Sequence, residues 1–206
     1  MLGAGSAAIG ASALVGSGAF TSVASERTVS VRAANDENAY LGLKEVPHSP
    51  NSSYVDYNDN GQLRIQMDDA NPNHEDEKLG TGVNTNSLTN FKDLFRIKNQ
   101  GTQPIHVFAF LQGDKPNRVG LFGSDYSPCW GLKLDVGEYE DIGLRVDTWD
   151  VEGKDNVSAT AQLVENMYIV AVGEENPEGD KTHEDAAWSY VPDDDAEASE
   201  ALPDGE

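Results

Sequence analysis

The sequence predicts an all-β fold, a single β-sandwich of jelly-roll type. About ten short segments alternate between apolar and polar residues, turn residues separate them at regular intervals, and no stretch keeps a long helical period. We place the sandwich at residues 25–173, between a signal-like segment at 1–24 and an acidic tail at 174–206 that we expect to be disordered. A chain of 206 residues is long enough to bury one core of this kind.

The N-terminal segment is uncharged from residue 2 to residue 24 and consists mostly of Ala, Gly, Ser, Leu and Val. This composition is typical of the apolar core of an export signal, and it is too weakly apolar for a membrane span. The basic n-region of such a signal is missing from the printed sequence, so we expect a twin-arginine n-region upstream. Cleavage is expected after Ala24 or near Gly18, and an uncleaved anchor is the alternative. The segment predicts export to the cell surface or the medium, with no stable membrane span after cleavage.

The first half of the mature chain predicts strands at 28–33, 39–43, 53–57 and 62–67. The last two flank Asn60-Gly61, and an Asn-Gly pair between alternating runs predicts a β-hairpin. Residues 68–90 are polar and without period, which predicts a long surface loop. We expect one helical turn to follow at 91–94, capped by Ser87 or Asn90.

The second half predicts strands at 95–99, 104–111, 119–122, 132–134, 142–148 and 167–172. The run 104–111 is the most apolar of the mature chain and predicts a central strand, and the run 167–172 predicts a buried closing strand. Residues 174–206 carry 13 acidic residues and one lysine, a composition typical of disorder. The patch 186–191 interrupts this tail, and we expect it to dock on the domain or on a neighbour, or to form a short extra strand.

The charge of the chain is strongly acidic, with 36 Asp and Glu against 14 Lys and Arg and a formal net charge of −22. This balance argues against binding to nucleic acid or to anionic lipid. Self-repulsion of this size strains a compact fold, but about 1 M salt screens it within about 3 Å. The composition therefore predicts adaptation to molar salt, and a dedicated cation-binding surface is the alternative.

One segment has the start of a calcium loop. Asp56, Asn58 and Asn60 supply oxygen atoms at alternating positions before Gly61, as the first half of such a loop does. The twelfth position is Met67 rather than Glu, and the flanking runs are strands, so an EF-hand is excluded. We weigh a Ca²⁺ site at these three residues against an ordinary hairpin turn rich in Asn and Asp. Ca²⁺ is the one cofactor that the sequence suggests.

Signals of catalysis are missing from the sequence. The four histidines lack metal-ligand spacing, and hydrolase and phosphate-loop motifs are absent. The single cysteine, Cys129, excludes an intrachain disulfide, and we expect it to be a small buried apolar residue rather than a nucleophile. These observations predict a protein that is not an enzyme.

Two further features fit an exported protein. Asn51 and Asn156 begin glycosylation sequons in predicted loops. Three tryptophans and four of the tyrosines suggest an aromatic platform for carbohydrate, with a role in cores and edges as the alternative: Trp130, Trp149, Trp188, Tyr54, Tyr57, Tyr126 and Tyr139.

The opening of the chain carries a family resemblance. The segments 18–22 (Gly-Ala-Phe-Thr-Ser), 26–31 (Glu-Arg-Thr-Val-Ser-Val) and 39–43 (Ala-Tyr-Leu-Gly-Leu) resemble a family of haloarchaeal exported proteins without an assigned function, with further echoes at 95–102, 136–138 and 142–148. The resemblance covers residues 10–173. That family is distantly similar to the camelysin/TasA group of secreted, fibre-forming β-sandwich proteins.

The resemblance implies a role for the first predicted strand. In the camelysin/TasA group a segment freed by signal cleavage completes the sheet of a neighbour, which implies assembly through Thr28, Val29, Ser30, Val31, Arg32 and Ala33 here. The alternative is that this strand pairs within its own domain. The resemblance also raises a camelysin-type protease, which no residue of the sequence supports.

Three functional hypotheses result. The first is an exported structural protein of a halophile's surface, a filament subunit whose partners are copies of itself joined head to tail and other surface components. The second is a monomeric, envelope-associated module that binds Ca²⁺ or a glycan. The third, which has the least support, is the protease.

Overall fold

The computed structural model describes residues 38–74, 79–80, 82–149, 163–174, 182–191 and 196–198. The predicted strand at 28–33 and the signal-like segment at 1–24 lie outside the described residues. The strands are β1 (Leu41–Glu45), β2 (Val55–Tyr57), β3 (Leu63–Ile65), β4 (Leu88–Asn99), β5 (Ile105–Gln112), β6 (Val119–Phe122), β7 (Trp130–Leu134), β8 (Tyr139–Asp147), β9 (Asn166–Gly173) and β10 (Ala196–Ala198). Short 3₁₀-helices occupy Pro50–Tyr54 and Pro116–Arg118, and the α-helix α1 spans His183–Trp188.

The strands form two larger sheets and one hairpin, and all the described pairings are antiparallel. The first sheet has the order β1-β4-β8-β6. In the second sheet β5 pairs with β9 along one side and with β7 and β10 along the other. The predicted β-sandwich is confirmed, and β5 is the central strand that its apolar sequence predicts.

The core lies between the two sheets. Phe95, Ile97 and Ile142 from the first sheet pack against Val107 and Leu111 from the second, and all five side chains are buried. Strand residues alternate between faces, so residues two apart reach the same core. The predicted hairpin is present as β2 and β3, and its loop spans residues 58–62, one residue more than the predicted 58–61.

One flank of the sandwich is closed by the chain that leads into β7. The N–H of Cys129 donates to the carbonyl of Leu121 on β6 over 2.9 Å, and its carbonyl accepts from Ala109 on β5 over 3.2 Å. This residue therefore joins the edge of one sheet to the other. The opposite flank is bounded by the outer strands β1 and β9.

The prediction of one helical turn at 91–94 is wrong. Strand β4 runs through this segment, and a bulge between Phe91 and Phe95 takes up the extra residues. Asp93 adopts a left-handed conformation there, with φ of 53°. The bulge interrupts the alternation of side chains, which is why the sequence pattern there does not resemble a strand.

The prediction of disorder throughout the tail is wrong for part of it. Thr182 and Asp185 form a reciprocal capping box at the start of α1, and Ala186 and Ala187 are buried against the outer face of the second sheet. The apolar patch at 186–191 therefore docks on the domain, as one of our three alternatives predicted. The tail also forms a short strand, but further along the chain than residues 186–191, at β10.

Candidate functional site

The outer edge of β9 carries backbone groups without described partners. The N–H of Glu174 donates to the carbonyl of Pro104 over 3.0 Å. This bond fixes which residues of β9 bond to β5, because bonded and non-bonded pairs alternate along an antiparallel ladder. The backbone groups that bond to β5 are those of residues 168, 170 and 172. The N–H and C=O groups that point away from β5 are those of Met167, Ile169, Ala171 and Gly173. Within the described part of the chain, no hydrogen bond reaches these outward groups.

The facing edge, β1, is half covered. The N–H of Gln100 donates to Tyr40 over 2.7 Å, so the backbone groups of Leu41, Leu43 and Glu45 point outward. The Tyr57 hydroxyl accepts from the N–H of Glu45 over 3.3 Å and lies 3.5 Å from the carbonyl oxygen of Leu43. The β2–β3 hairpin thus covers one end of this edge and leaves the end at Leu41 open.

A cavity of about 370 Å³ lies between the two edges. Tyr40 and Leu41 form one wall, Ala171 and Gly173 form the other, and the turn at 101–103 closes the end. A cleft bounded by two sheet edges suits an extended backbone, because that backbone satisfies the free N–H and C=O groups of an edge strand.

The side chains along these edges are apolar and only partly covered. Leu41 and Leu43 on β1, and Met167 and Ile169 on β9, pack against the core but remain partly exposed. The β9 residues whose backbone N–H and C=O groups point away from β5 are the same residues whose side chains face the core. A strand added at β9 would therefore gain both hydrogen bonds and apolar contacts.

The candidate calcium residues lie in the β2–β3 hairpin. Asp56 pairs with Arg64 across the hairpin. The side-chain oxygen of Asn58 accepts from the N–H groups of Asn60 and Gln62, over 3.0 and 2.9 Å. Two of the three proposed ligands therefore already have partners within the hairpin, and the Ca²⁺ site stays a prediction.

Two of the four histidines form a cluster that the sequence did not predict. His106 on β5 and His183 on α1 are stacked, and Glu174 lies beside both rings. Glu174 also pairs with Lys133 over 2.9 Å, and this hydrogen bond holds the pKa of the Glu174 carboxyl below its usual value. Among the described residues, no group of three or more His, Cys, Asp or Glu side chains is arranged to hold a metal ion.

Cys129 is buried beneath the closed flank. Burial, together with the nearby charge of Glu140, raises the pKa of its thiol to about 12. A thiol of this kind stays protonated and inaccessible near neutral pH. Its position agrees with the predicted apolar role.

The remaining predicted residues are dispersed. Asn51 lies in the 3₁₀-helix at Pro50–Tyr54, and its Nδ2 donates to the carbonyl of Lys92 over 2.8 Å. Trp130 and Trp188 meet on the outer face of the second sheet with ring centroids 6.2 Å apart, whereas Tyr126 stacks on Phe122 of the first sheet. Asn156 and the candidate assembly strand 28–33 lie outside the described residues.

Comparison with known proteins identifies the family. No curated protein matches the chain. In the described part of the chain, no helix is long and apolar enough to cross a membrane. Residues 34–148, more than half of the chain and most of the sandwich, match a family of proteins of unknown function, DUF1102. The chain therefore belongs to the DUF1102 family.

Proposed function

We propose that this protein is an exported structural subunit of a halophile's cell surface, which forms filaments when residues 28–33 of one copy add to the β9 edge of the next. The observation that carries the proposal is the open β9 edge, which lies beside the cleft and has four outward backbone positions without a described partner. The distant resemblance to the camelysin/TasA group and the acidic composition support the same assignment.

The pattern of the donated segment suits this acceptor. Val29, Val31 and Ala33 alternate with polar residues, so their side chains fall on one face of an extended strand. On β9 that face meets Met167 and Ile169, which are only partly covered. An extended segment thereby completes the core of the acceptor.

Donation between copies, rather than within one copy, gives a polymer. Seven residues lie between Ala33 and Leu41, and the eight residue steps span at most about 29 Å when extended. Insertion into the chain's own cleft requires the segment to reverse direction next to β1. Donation to the next copy lets the segment continue outward, and a head-to-tail contact that does not close builds a filament.

Disulfide trapping tests the proposal. One variant carries Ile169→Cys on the acceptor edge, and partner variants carry Val29→Cys, Val31→Cys or Ala33→Cys on the donor segment. Cys129 does not interfere, because its thiol is buried. Mixing acceptor and donor variants, followed by mild oxidation in molar KCl, is expected to give a covalent dimer, with negative-stain microscopy of the unmodified protein showing filaments.

The matched control places the acceptor cysteine at Val136→Cys, an exposed position in the β7–β8 turn. Trapping at this position as efficiently as at Ile169 would show random collision. Cross-links that form only within double variants of a single copy, together with uniform monomers by microscopy, would sink the proposal. In that case the monomeric binding module would become the leading hypothesis, and Ca²⁺ titration would follow.

A further inference from the structure

The described part of this acidic chain concentrates its positive charge on one face. It contains nine lysines and arginines: Lys44, Arg64, Lys92, Arg96, Lys98, Lys115, Arg118, Lys133 and Arg145. Five of the nine, namely Lys44, Lys92, Arg96, Lys98 and Arg145, lie on the outer face of the β1-β4-β8-β6 sheet, which we call the basic face.

Strand register places these residues together. Lys44 lies opposite Arg96 on the neighbouring strand, and Arg96 lies opposite Asp141. Lys98 is two residues along from Arg96, and Arg145 is four along from Asp141, so all share the outer face. The intervening residues, such as Ile97 and Ile142, face the core.

Most of these cations lack an acidic partner. Arg96 forms a two-pronged pair with Asp141, over 2.6 and 2.8 Å. The side chains of Lys44, Lys98 and Arg145 form no ion pair or hydrogen bond within the described part of the chain. The Nε of Arg145 is shielded from solvent and has no hydrogen-bond partner. An incoming acceptor cannot reach this shielded atom, so it must bind the terminal nitrogens of the guanidinium.

The aromatic residues of this face are those found at protein contacts. Tyr139 packs beneath the guanidinium of Arg96, 3.8 Å from ring centroid to Cζ, and Lys92 lies 4.2 Å above the ring of Tyr126. Both tyrosines are about half exposed. Arginine and tyrosine are enriched at the centres of protein interfaces.

The acidic counterpart lies on the other side of the same domain. Helix α1 packs on the outer face of the second sheet, and β10 extends that sheet beside it. Glu184 and Asp185 of α1 are exposed there, and Glu174 lies beside the same helix, which gives the domain an acidic back opposite its basic face. Each copy thus carries both halves of a complementary pair.

We infer that the basic face binds the acidic back of a second copy of this chain. The contact uses neither the β9 edge nor residues 28–33, so it is independent of strand donation and packs subunits or filaments side by side. Molar salt screens long-range attraction, so the contact consists of charge-assisted hydrogen bonds at contact distance, with Arg145 and Lys98 meeting carboxylates.

Charge reversal and its rescue test this inference. The full chain with Val29→Pro and Val31→Pro serves as the parent, because prolines stop strand pairing and leave only the face-to-back contact. A face variant adds Lys44→Glu, Lys98→Glu and Arg145→Glu, and a back variant adds Glu184→Lys and Asp185→Asn. Sedimentation velocity is expected to show parent self-association, about tenfold weaker in either variant and restored when the two are mixed.

Three outcomes would overturn the inference: a parent that stays monomeric, a face variant that associates like the parent, or a mixture no stronger than its components. A face variant that loses binding to a polyuronate probe while self-association is unchanged would assign the face to an anionic polysaccharide instead. If the glutamate substitutions prevent the face variant from folding, glutamine at the same three positions is used instead. Circular dichroism confirms that each variant is folded.

Discussion

His183 stacks on His106, with ring centroids 4.1 Å apart and an angle of 26° between the planes. His183 begins α1 in the acidic tail, and His106 lies on the central strand β5. The ring of His183 also lies 3.0 Å from the carbonyl oxygen of Glu174. The docked part of the tail is therefore held by polar contacts as well as by the burial of Ala186, Ala187 and Val191.

Truncation after Gly173 is expected to destabilise the domain. It removes α1 and β10, and it exposes Phe108, Phe110 and Trp130 on the outer face of the second sheet. We expect the free energy of unfolding to fall by about 3–5 kcal/mol, as measured by chemical denaturation in molar salt. The matched control is truncation after Ala198, which keeps both elements and should leave stability unchanged. Equal stability of the two truncated chains would contradict the role given to α1.

Glu174 makes the stability of the domain sensitive to acid. Its hydrogen bond to Lys133 lowers its folded-state pKa, and the charges of Lys133, His106 and His183 act in the same direction. A lowered folded-state pKa contributes stability that is present above the unfolded-state pKa and is lost as the pH falls through the folded value. Glu174→Gln is therefore expected to flatten the decline of stability below about pH 4.5.

The comparison needs a control, because the chain has many other carboxylates. Glu184→Gln removes one exposed carboxylate from α1 without breaking a described ion pair. Urea midpoints measured across the acid range should decline more steeply for this variant than for Glu174→Gln. Parallel declines would rule out the proposed contribution of Glu174.

The thiol of Cys129 is expected to resist modification in the folded protein. Its pKa is raised to about 12 and its side chain is buried. A thiol-reactive dye at about pH 8 should label the native protein slowly and the denatured protein fully. Replacement Cys129→Ser places a hydroxyl in the apolar core and should cost about 1–3 kcal/mol. Fast labelling of the native state would show that the closed flank opens.

Gly143 is expected to tolerate no side chain. A Cβ there would lie 2.5 Å from the Phe122 ring and 2.7 Å from the carbonyl oxygen of Phe91. The Phe122 ring cannot easily move, since Tyr126 is stacked on it at 5.1 Å. Gly143→Ala should therefore destabilise the domain by about 1–3 kcal/mol. Gly80→Ala, at an open position, should change stability by less than about 0.5 kcal/mol, and thermal denaturation of both variants gives the comparison.

Asn99 is expected to organise the end of the cleft. Its buried Nδ2 donates to the carbonyls of Gln103 and Leu134, over 2.8 and 3.1 Å, and its Oδ1 accepts from Gly101 over 2.9 Å. Asn99→Ala leaves these groups without partners and should cost about 3 kcal/mol. Asn90→Ala, at an exposed position on the same strand, is the control. Equal denaturation midpoints for the two variants would contradict this role.

The sequence predicts the elements of the fold better than their arrangement. The apolar run of β5 and the alternation in β8 identify these strands, because burial on two faces or on one face leaves a direct mark on the sequence. The bulge of β4 leaves no such mark on the sequence, since its irregular residues resemble a helical turn. The docking of residues 186–191 on the domain was predicted only as one of three alternatives, because six residues of mixed character do not indicate what they pack against.

The acceptor edge shows why the candidate site was harder to predict. The apolar residues of β9 led us to expect a buried strand, yet the structure places β9 at an edge. Whether a strand lies inside a sheet or at its margin depends on pairing with distant segments, and local pattern carries little of that information. The basic face was missed for the same reason, because Lys44, Arg96 and Arg145 are far apart in sequence and meet only through register.

The pairing of β5 with β10 has a consequence for how the chain folds. Every described strand that pairs with β5 comes after it, and the last of them ends at residue 198. During synthesis the central strand therefore leaves the ribosome before any of its neighbours. Pairings over such long loops carry a large closure entropy, which places folding on a time scale of about milliseconds to seconds. We conclude that the second sheet is completed only after almost the whole chain has been made.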